Sequence, residues 1–218
     1  MTSLRPTLFA ALLSGLMVLP AWASELPPQV VAVRDGWADV KYQVPADQRS
    51  TAFEALAKKA GAAVAQQPRS AEALIWEGIV LASWAGEKGG LGALGLVKKA
   101  RKDFEAAIAI DPAALEGSAY TSLGSLYYQV PGWPVGFGDD DKARDFLMKG
   151  LQANPDGLDS NYFFADFLRE QGDYAGAEAA ARKALAAKPR PGRERADAGR
   201  RAEVEALLKA VQAELASG

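Results

Sequence analysis

Residues 156–189 decide the fold class of this chain, and they read DGLDSNYFFADFLREQGDYAGAEAAARKALAAKP. Small and apolar residues recur there at helical spacing, first at Phe164, Ala165 and Leu168 and then at Ala177, Ala181 and Ala184. Gly172 lies in a turn between the two stripes, and Pro189 ends the second because proline cannot continue a helix. The stretch therefore predicts two helices joined by a tight turn.

The same pattern recurs three times upstream, each time ending at a proline: Pro68, Pro112 and Pro155. The stripes before these prolines are Leu56, Ala60 and Ala63; Ala100, Phe104 and Ala107; and Ala143, Leu147 and Gly150. Small residues let neighbouring helices approach closely, so the repetition predicts stacked helix pairs. We expect repeat-like units at about 29–68, 70–112, 113–155 and 156–189.

Both ends of the repeat region are also expected to be helical. Valines and a tryptophan at helical spacing predict a helix over residues 29–43, although Asp35-Gly36 leaves a β-hairpin open as the alternative. Residues 193–216 carry an apolar stripe opposite a charged face, as a helix that caps a solenoid requires. The expected fold is therefore an all-α solenoid of helix pairs with a C-terminal capping helix, in a single domain over residues 24–218.

Two segments exceed the length of a simple helix pair. Residues 83–96 include GLGALG, which matches the letters of a dinucleotide-binding turn, but that turn needs a preceding strand and the sequence predicts a helix there. We expect a flexible, apolar insert instead. Residues 130–139 read VPGWPVGFGD and predict a stiff loop. The acidic run Asp139-Asp140-Asp141 predicts a helix N-cap and first turn, whereas a calcium site would need more oxygen ligands at loop spacing.

Together these features resemble the tetratricopeptide repeat, a helix–turn–helix unit of about 34 residues. Trp37 and Tyr42 in the opening helix, KGGLG at 88–92 and PGWP at 131–134 further resemble the T-component proteins associated with TRAP transporters. That resemblance implies an α-helical, extracytoplasmic protein that assists delivery of a small organic ligand to or from a solute-binding protein. The typical member is a lipoprotein, and this chain departs from it because it contains no cysteine.

The first 23 residues have the features of a cleavable signal peptide. Arg5 supplies the positive charge, residues 8–19 are apolar, and Ala21-Trp22-Ala23 is a cleavage site of the A-x-A type. The apolar stretch is too short for a membrane span. We therefore expect a periplasmic or secreted protein without stable membrane insertion after cleavage, and the alternative is that the peptide stays as an anchor.

Composition excludes several classes of chemistry. Without Cys or His the chain has no disulfide, no thiolate nucleophile and no Ser-His-Asp triad, and zinc sites are excluded. The carboxylates show no paired pattern, so we expect no enzyme, no catalytic residue, no metal and no cofactor. A net charge of -2 gives no case for nucleic acid. The basic residues between 182 and 201 are interpreted as a solvated outer face.

Polar and aromatic stripes on the first helices of the third and fourth units predict a recognition surface. The candidate residues are Thr121, Ser125, Tyr128, Tyr162, Asp166 and Arg169. Trp133 and Phe137 leave the same helix end and are expected to fold over this surface as a lid, although both side chains could instead pack into the core.

The sequence thus favours a non-enzymatic binding or scaffold protein that mediates protein–protein interaction. The expected partner is another exported protein, and a solute-binding protein is one candidate. The alternative is a carrier of a small organic ligand, held in a cavity that the two inserts cover.

Overall fold

The computed structural model describes residues 26–217, so the expected signal peptide lies outside the described part of the chain. Within those residues the secondary structure consists of nine helices and no strand. The helices are α1 (Pro28–Gln43), α2 (Ala46–Gln66), α3 (Ala71–Lys88), α4 (Gly90–Ile110), α5 (Ala114–Gln129), α6 (Asp140–Ala153), α7 (Leu158–Glu170), α8 (Tyr174–Leu185) and α9 (Glu194–Ser217). Each odd-numbered helix from α1 to α7 packs on the helix that follows it, and α9 covers the last pair. The expected all-α solenoid is therefore confirmed.

The small-residue stripes form the contacts between paired helices. All twelve stripe positions named for the four units' second helices are buried. Gly124 shows how close the approach is, because a side-chain carbon there would lie 2.7 Å from Leu147 Cγ and 3.1 Å from Ala143 O. Alanine and glycine thus set the spacing between α5 and α6. Because these side chains are small, the backbones of the two helices come close to direct contact.

The segment at residues 90–95 is helical, and the expectation of a flexible insert there is wrong. It forms the first turns of α4, and it follows helix α3 rather than a strand. The segment contains no proline, and its leucine and alanine residues favour a helix. The chain breaks only at Gly89 and Gly90, whose φ values of 62° and 60° suit glycine.

The opening segment is a helix, so the hairpin at Asp35-Gly36 does not form. Gly36 lies inside α1, where a side-chain carbon would be 3.0 Å from Leu56 Cδ1 of α2. The apolar stripe of α1 is buried with α2 and α3, and this burial outweighs the local turn preference of an Asp-Gly pair.

The first and last helices of the described chain touch each other. Arg195 of α9 forms an ion pair with Asp39 of α1. Tyr42 Oη donates a hydrogen bond of 3.3 Å to Glu203 Oε2. Because α9 contacts α1, α7 and α8, the stack of helices closes on itself. We call the α1–α9 contact the seam.

Candidate functional site

The odd-numbered helices line a cavity of about 1150 Å³. Its wall contains residues of α1, α3, α5, α7 and the beginning of α9, together with the first turns of α4. This volume is slightly above the range of about 300–1000 Å³ that small-molecule sites usually occupy. The closure of α9 onto α1 brings residues from opposite ends of the chain to one internal surface.

One wall of the cavity is aromatic. The rings of Trp37 and Trp76 lie 6.1 Å apart between centroids. Trp37 Nε1 donates a 2.8 Å hydrogen bond to Ser83 Oγ, and that hydroxyl donates to the Ile79 carbonyl. Trp76 is 4% exposed, and its Nε1 has no acceptor among residues 26–217. A buried indole N–H usually finds a partner, so the Trp76 donor is an unsatisfied group in the cavity wall.

Both segments that exceed a simple helix pair contribute to the rim. Leu91 and Leu94 line the cavity from the first turns of α4, and Pro131 and Val135 line it from the loop between α5 and α6. Leu91 is 82% exposed although it is a large apolar residue. An apolar rim of this kind can contact the apolar part of a bound molecule without loss of a hydrogen bond.

A buried ion network forms another part of the wall. Asp159 accepts hydrogen bonds of 2.7 Å from Arg190 and 2.8 Å from Arg200, and Arg200 also contacts Glu203. Burial acts to raise the pKa of Asp159, but the guanidinium groups of Arg200 and Arg190 lower it well below its usual range. Because these charges satisfy one another, the network fixes α7 and α9 rather than offering a free charge.

Arg193 differs from the other arginines of the cavity. It forms no ion pair within the described residues, and its guanidinium lies 5.2 Å from the centroid of the Trp76 ring. Burial lowers the pKa of Arg193, and the positive charges of Arg190 and Arg34 lower it further, whereas the charges of Asp159 and Asp197 act to raise it. Arg34 approaches the residue before Arg193, since Arg34 Nη2 lies 4.0 Å from where a side-chain carbon of Gly192 would be. The ion pair of Arg34 is with its exposed neighbour Asp35, outside the cavity wall.

Three of the candidate residues from sequence lie in the cavity wall: Thr121, Ser125 and Tyr162. Thr121 and Ser125 are buried, and Ser125 Oγ donates to the Ser122 carbonyl. The guanidinium of Arg200 lies 4.3 Å from the Tyr162 ring centroid.

Tyr128, Asp166 and Arg169 form a separate cluster between α5 and α7, and none of them lines the cavity. Tyr128 Oη donates a 2.8 Å hydrogen bond to Asp166 Oδ2, and Arg169 Nη2 donates at 3.0 Å to Asp166 Oδ1. Burial raises the pKa of Tyr128, and the Asp166 charge raises it further. The phenol therefore remains a donor, and the cluster joins the two helices.

Trp133 and Phe137 lie in the loop between α5 and α6 and have different environments. Phe137 packs edge-on against Tyr127 at 5.6 Å, with the Arg101 guanidinium 4.6 Å from its ring centroid. Trp133 is 90% exposed. Packing against the repeat, the alternative expected from the sequence, is therefore seen for Phe137 but not for Trp133. That the eight candidate residues bind a partner stays a prediction.

The loop that carries Trp133 is held by its own backbone. Gly138 N donates to Pro131 O at 3.0 Å, and Asp139 N donates to Tyr127 O at 2.8 Å. Asp139 also caps α6 through a 3.0 Å hydrogen bond from Lys142 N, as its sequence position predicts. The exposed indole is thus presented by an ordered segment.

The sequence interpretation missed the arginines of the cavity. Arg190, Arg193 and Arg200 line it, so the interpretation of the 182–201 segment as a solvated outer face is wrong for these three residues. Arg34, Trp37 and Trp76 were likewise not recognised as parts of one surface. No local signal identifies them, because the seam brings together residues that are far apart in sequence.

Within residues 26–217 no group of three or more His, Cys, Asp and Glu side chains is arranged to hold a metal ion. The helices of this part of the chain also lack the combination of length and apolar character needed to span a membrane.

Comparison with known proteins identifies the repeat. Residues 158–191, which include α7 and α8, match the family profile described as "Tetratricopeptide repeat". Among solved structures, the chain is similar to one described as "Crystal structure of MamA", with 19% identity over 81% of this chain and 97% of that chain and a TM-score of 0.44. A second, "Crystal structure of MamA protein", has 18% identity over 85% and 91% of the two chains and a TM-score of 0.43. No curated protein matches the chain significantly. The chain therefore contains a tetratricopeptide repeat in a helical-repeat fold, an architecture that generally serves protein–protein interaction.

Proposed function

We propose that the protein is an exported, non-enzymatic scaffold that binds another exported protein through the loop carrying Trp133. The exposed indole of Trp133 carries this proposal. Tryptophan is among the residues that most often dominate the energy of a protein interface, and an exposed apolar ring is otherwise unfavourable in water.

The surroundings of Trp133 support its use as an anchor. Val135, two residues along the loop, is also a half-exposed apolar residue. An ordered loop loses little conformational entropy when it docks, so more of the interaction energy appears as affinity. The signal-peptide features of residues 1–23 support an exported location, and the partner is then another periplasmic or secreted protein.

The substitution Trp133→Ala tests this proposal. We expect it to weaken binding to the partner by roughly 2 kcal/mol or more, since the ring is a central contact, and to leave the melting temperature nearly unchanged. The partner is first captured from a periplasmic extract with the mature protein and identified by mass spectrometry, and both variants are then titrated with it by calorimetry.

The substitution Phe137→Ala is the matched control in the same loop. Phe137 contacts Tyr127 and Arg101, so its loss should lower the melting temperature. Unchanged partner binding by Trp133→Ala would contradict the proposal. Equal loss of stability in both variants would show that Trp133 is a structural residue.

A second function, carriage of a small organic ligand, is favoured by the cavity. Its volume of about 1150 Å³ and its aromatic wall suit a molecule with an apolar body. The resemblance to T-component proteins of TRAP transporters suggests that a solute-binding protein would supply or receive that ligand. The test is displacement of the neutral fluorescent probe 1-aminoanthracene from the mature protein by decanol.

A further inference from the structure

We propose that the cavity binds an organic carboxylate, whose anionic group contacts Arg193, Arg34 and the indole N–H of Trp76 and whose apolar body lies along the aromatic wall. This inference rests on the carrier function proposed above and adds the chemical class of the ligand. It is independent of protein docking at Trp133.

The first argument is the charge balance of the wall. The cations that line the cavity are Arg34, Lys41, Arg190, Arg193 and Arg200, and the anions are Glu87, Glu116, Asp159 and Glu203. Among the cations, Arg190 and Arg200 are bound to Asp159, and Lys41 lies 3.8 Å from Glu203. Arg193 and Arg34 are therefore the two that lack a carboxylate partner within the cavity wall.

The second argument is that Arg34 approaches the chain next to Arg193, so both arginines belong to the same region of the wall. Arg34 Nη2 lies 4.0 Å from where a side-chain carbon of Gly192 would be, and burial together with the charges of Arg190 and Arg34 lowers the pKa of Arg193, although Asp159 and Asp197 act in the opposite direction. Two neighbouring cations in a partly desolvated place repel each other, and an anion between them removes that repulsion. Guanidinium groups bind carboxylates in a bidentate geometry, so a carboxylate fits this pair well.

The third argument is independent of charge. Trp76 lies directly under Arg193, and its buried Nε1 donor has no acceptor in the described part of the chain. The neighbouring Trp37 Nε1, by contrast, already has an acceptor in Ser83 Oγ. Of the two indole donors in this wall, only that of Trp76 therefore needs an acceptor from a ligand. Trp76 Nε1 has less than 1 Å² of accessible surface, so the indole ring has to turn for a carboxylate at Arg193 to become its acceptor.

The rest of the wall determines what the carboxylate is attached to. Ile79, Leu94, Leu115 and Phe163 continue the cavity surface beyond the two tryptophans. These side chains offer apolar contact and no charge. The complementary ligand is a monocarboxylate with an aliphatic or aromatic body, not a small polyanion.

The experiment compares decanoate with decanol, which have the same chain length and differ in the charged group. Each is titrated against 1-aminoanthracene bound to the mature protein at pH 7.5, below its aggregation concentration. We expect decanoate to bind at least about tenfold more tightly than decanol, a difference of about 1.4 kcal/mol. Arg193→Met and Arg34→Met should each reduce this preference to about twofold or less while decanol binding stays within about twofold.

Arg182→Met is the matched control, because Arg182 pairs with Glu178 on α8 and does not line the cavity. It should keep the full preference for decanoate. Circular dichroism melting of each variant shows whether it is folded, and having two independent arginine variants keeps the test valid if one is unstable.

The possible outcomes separate the two proposals. Equal binding of decanoate and decanol to the unmodified protein overturns the carboxylate site and leaves the carrier function standing. A preference for decanoate that survives in both arginine variants also overturns the site, because the anion then binds elsewhere. Failure of the probe and of both ligands to bind overturns the carrier function and the inference together.

Discussion

At the residue scale, the polar groups that matter most for stability are those buried between helices. Lys99 Nζ lies 2.9 Å from Glu77 Oε2 and 3.0 Å from Asp103 Oδ2, and both carboxylates are buried. Burial raises the pKa of Asp103 to about 6; the hydrogen bond from Lys99 acts to lower it, and the charge of Glu77 adds to the rise. The folded state therefore retains this proton at pH values where the unfolded chain, with an ordinary Asp pKa near ~4, has lost it. The stabilising contribution of the protonated group is fully present below about pH 4 and is lost as the pH rises through about 6.

Asp103→Asn removes the titration, so the free energy of unfolding of the unmodified protein minus that of the variant should fall by roughly 1–3 kcal/mol between pH 4 and pH 7. Urea denaturation at intervals of one pH unit measures this difference.

The control is Asp145→Asn, which removes an exposed carboxylate from α6. This variant measures, at each pH, the effect of replacing a surface carboxylate by an amide. A flat profile for Asp103→Asn would mean that the pKa of Asp103 is the same in the folded protein as in the unfolded chain. Nothing in the sequence identifies Asp103 as unusual, because its environment depends on Glu77 of the preceding helix and on how deeply α3 and α4 pack.

At the element scale, the contact between paired helices depends on glycine and alanine at the closest points. Gly124 of α5 faces the α6 backbone, and a side-chain carbon there would lie 2.9 Å from Leu147 N. Gly124→Ala should therefore force the two helices apart and destabilise the fold by about 1–3 kcal/mol, measured by chemical denaturation. Gly95→Ala is the matched control, because Gly95 is inside α4 with no atom within 4 Å of the added carbon. It should stabilise the protein by about 0.5–1 kcal/mol, since alanine favours a helix more than glycine does. Equal effects of the two substitutions would contradict the packing described for α5 and α6.

The same scale shows what the sequence can predict. The stripe from Ala143 to Gly150 predicts a buried helix face because its spacing alone determines which side chains share a face. The segment at 90–95 is misjudged because glycine suggests flexibility, whereas the neighbouring leucine and alanine residues and the packing of α4 on α3 make it helical. The cavity surface formed by Arg193 and Trp76 depends on the seam, and no local pattern in the sequence encodes a contact between the first and last helices.

At the scale of the whole molecule, the seam decides whether the helical stack is closed or open. α9 approaches α1 through Gly199, where a side-chain carbon would lie 2.5 Å from Tyr42 Cε1. The polar contacts of the seam, between Arg195 and Asp39 and between Tyr42 and Glu203, are partly exposed and so stabilise it only weakly.

Gly199→Leu should therefore wedge the seam open without disturbing the helix pairs, since these pack through other faces. Small-angle X-ray scattering should show a larger radius of gyration, while far-UV circular dichroism keeps the same helical signal. Ala210→Leu changes an exposed position of α9 away from the seam and should leave the radius unchanged. Because Arg34 lies on α1 and Arg193 directly precedes α9, opening the seam should also separate these two residues and abolish the preference for decanoate over decanol. An unchanged radius for Gly199→Leu, with a preference that is lost all the same, would instead mean that α9 tilts locally at Tyr42 and the ring stays closed.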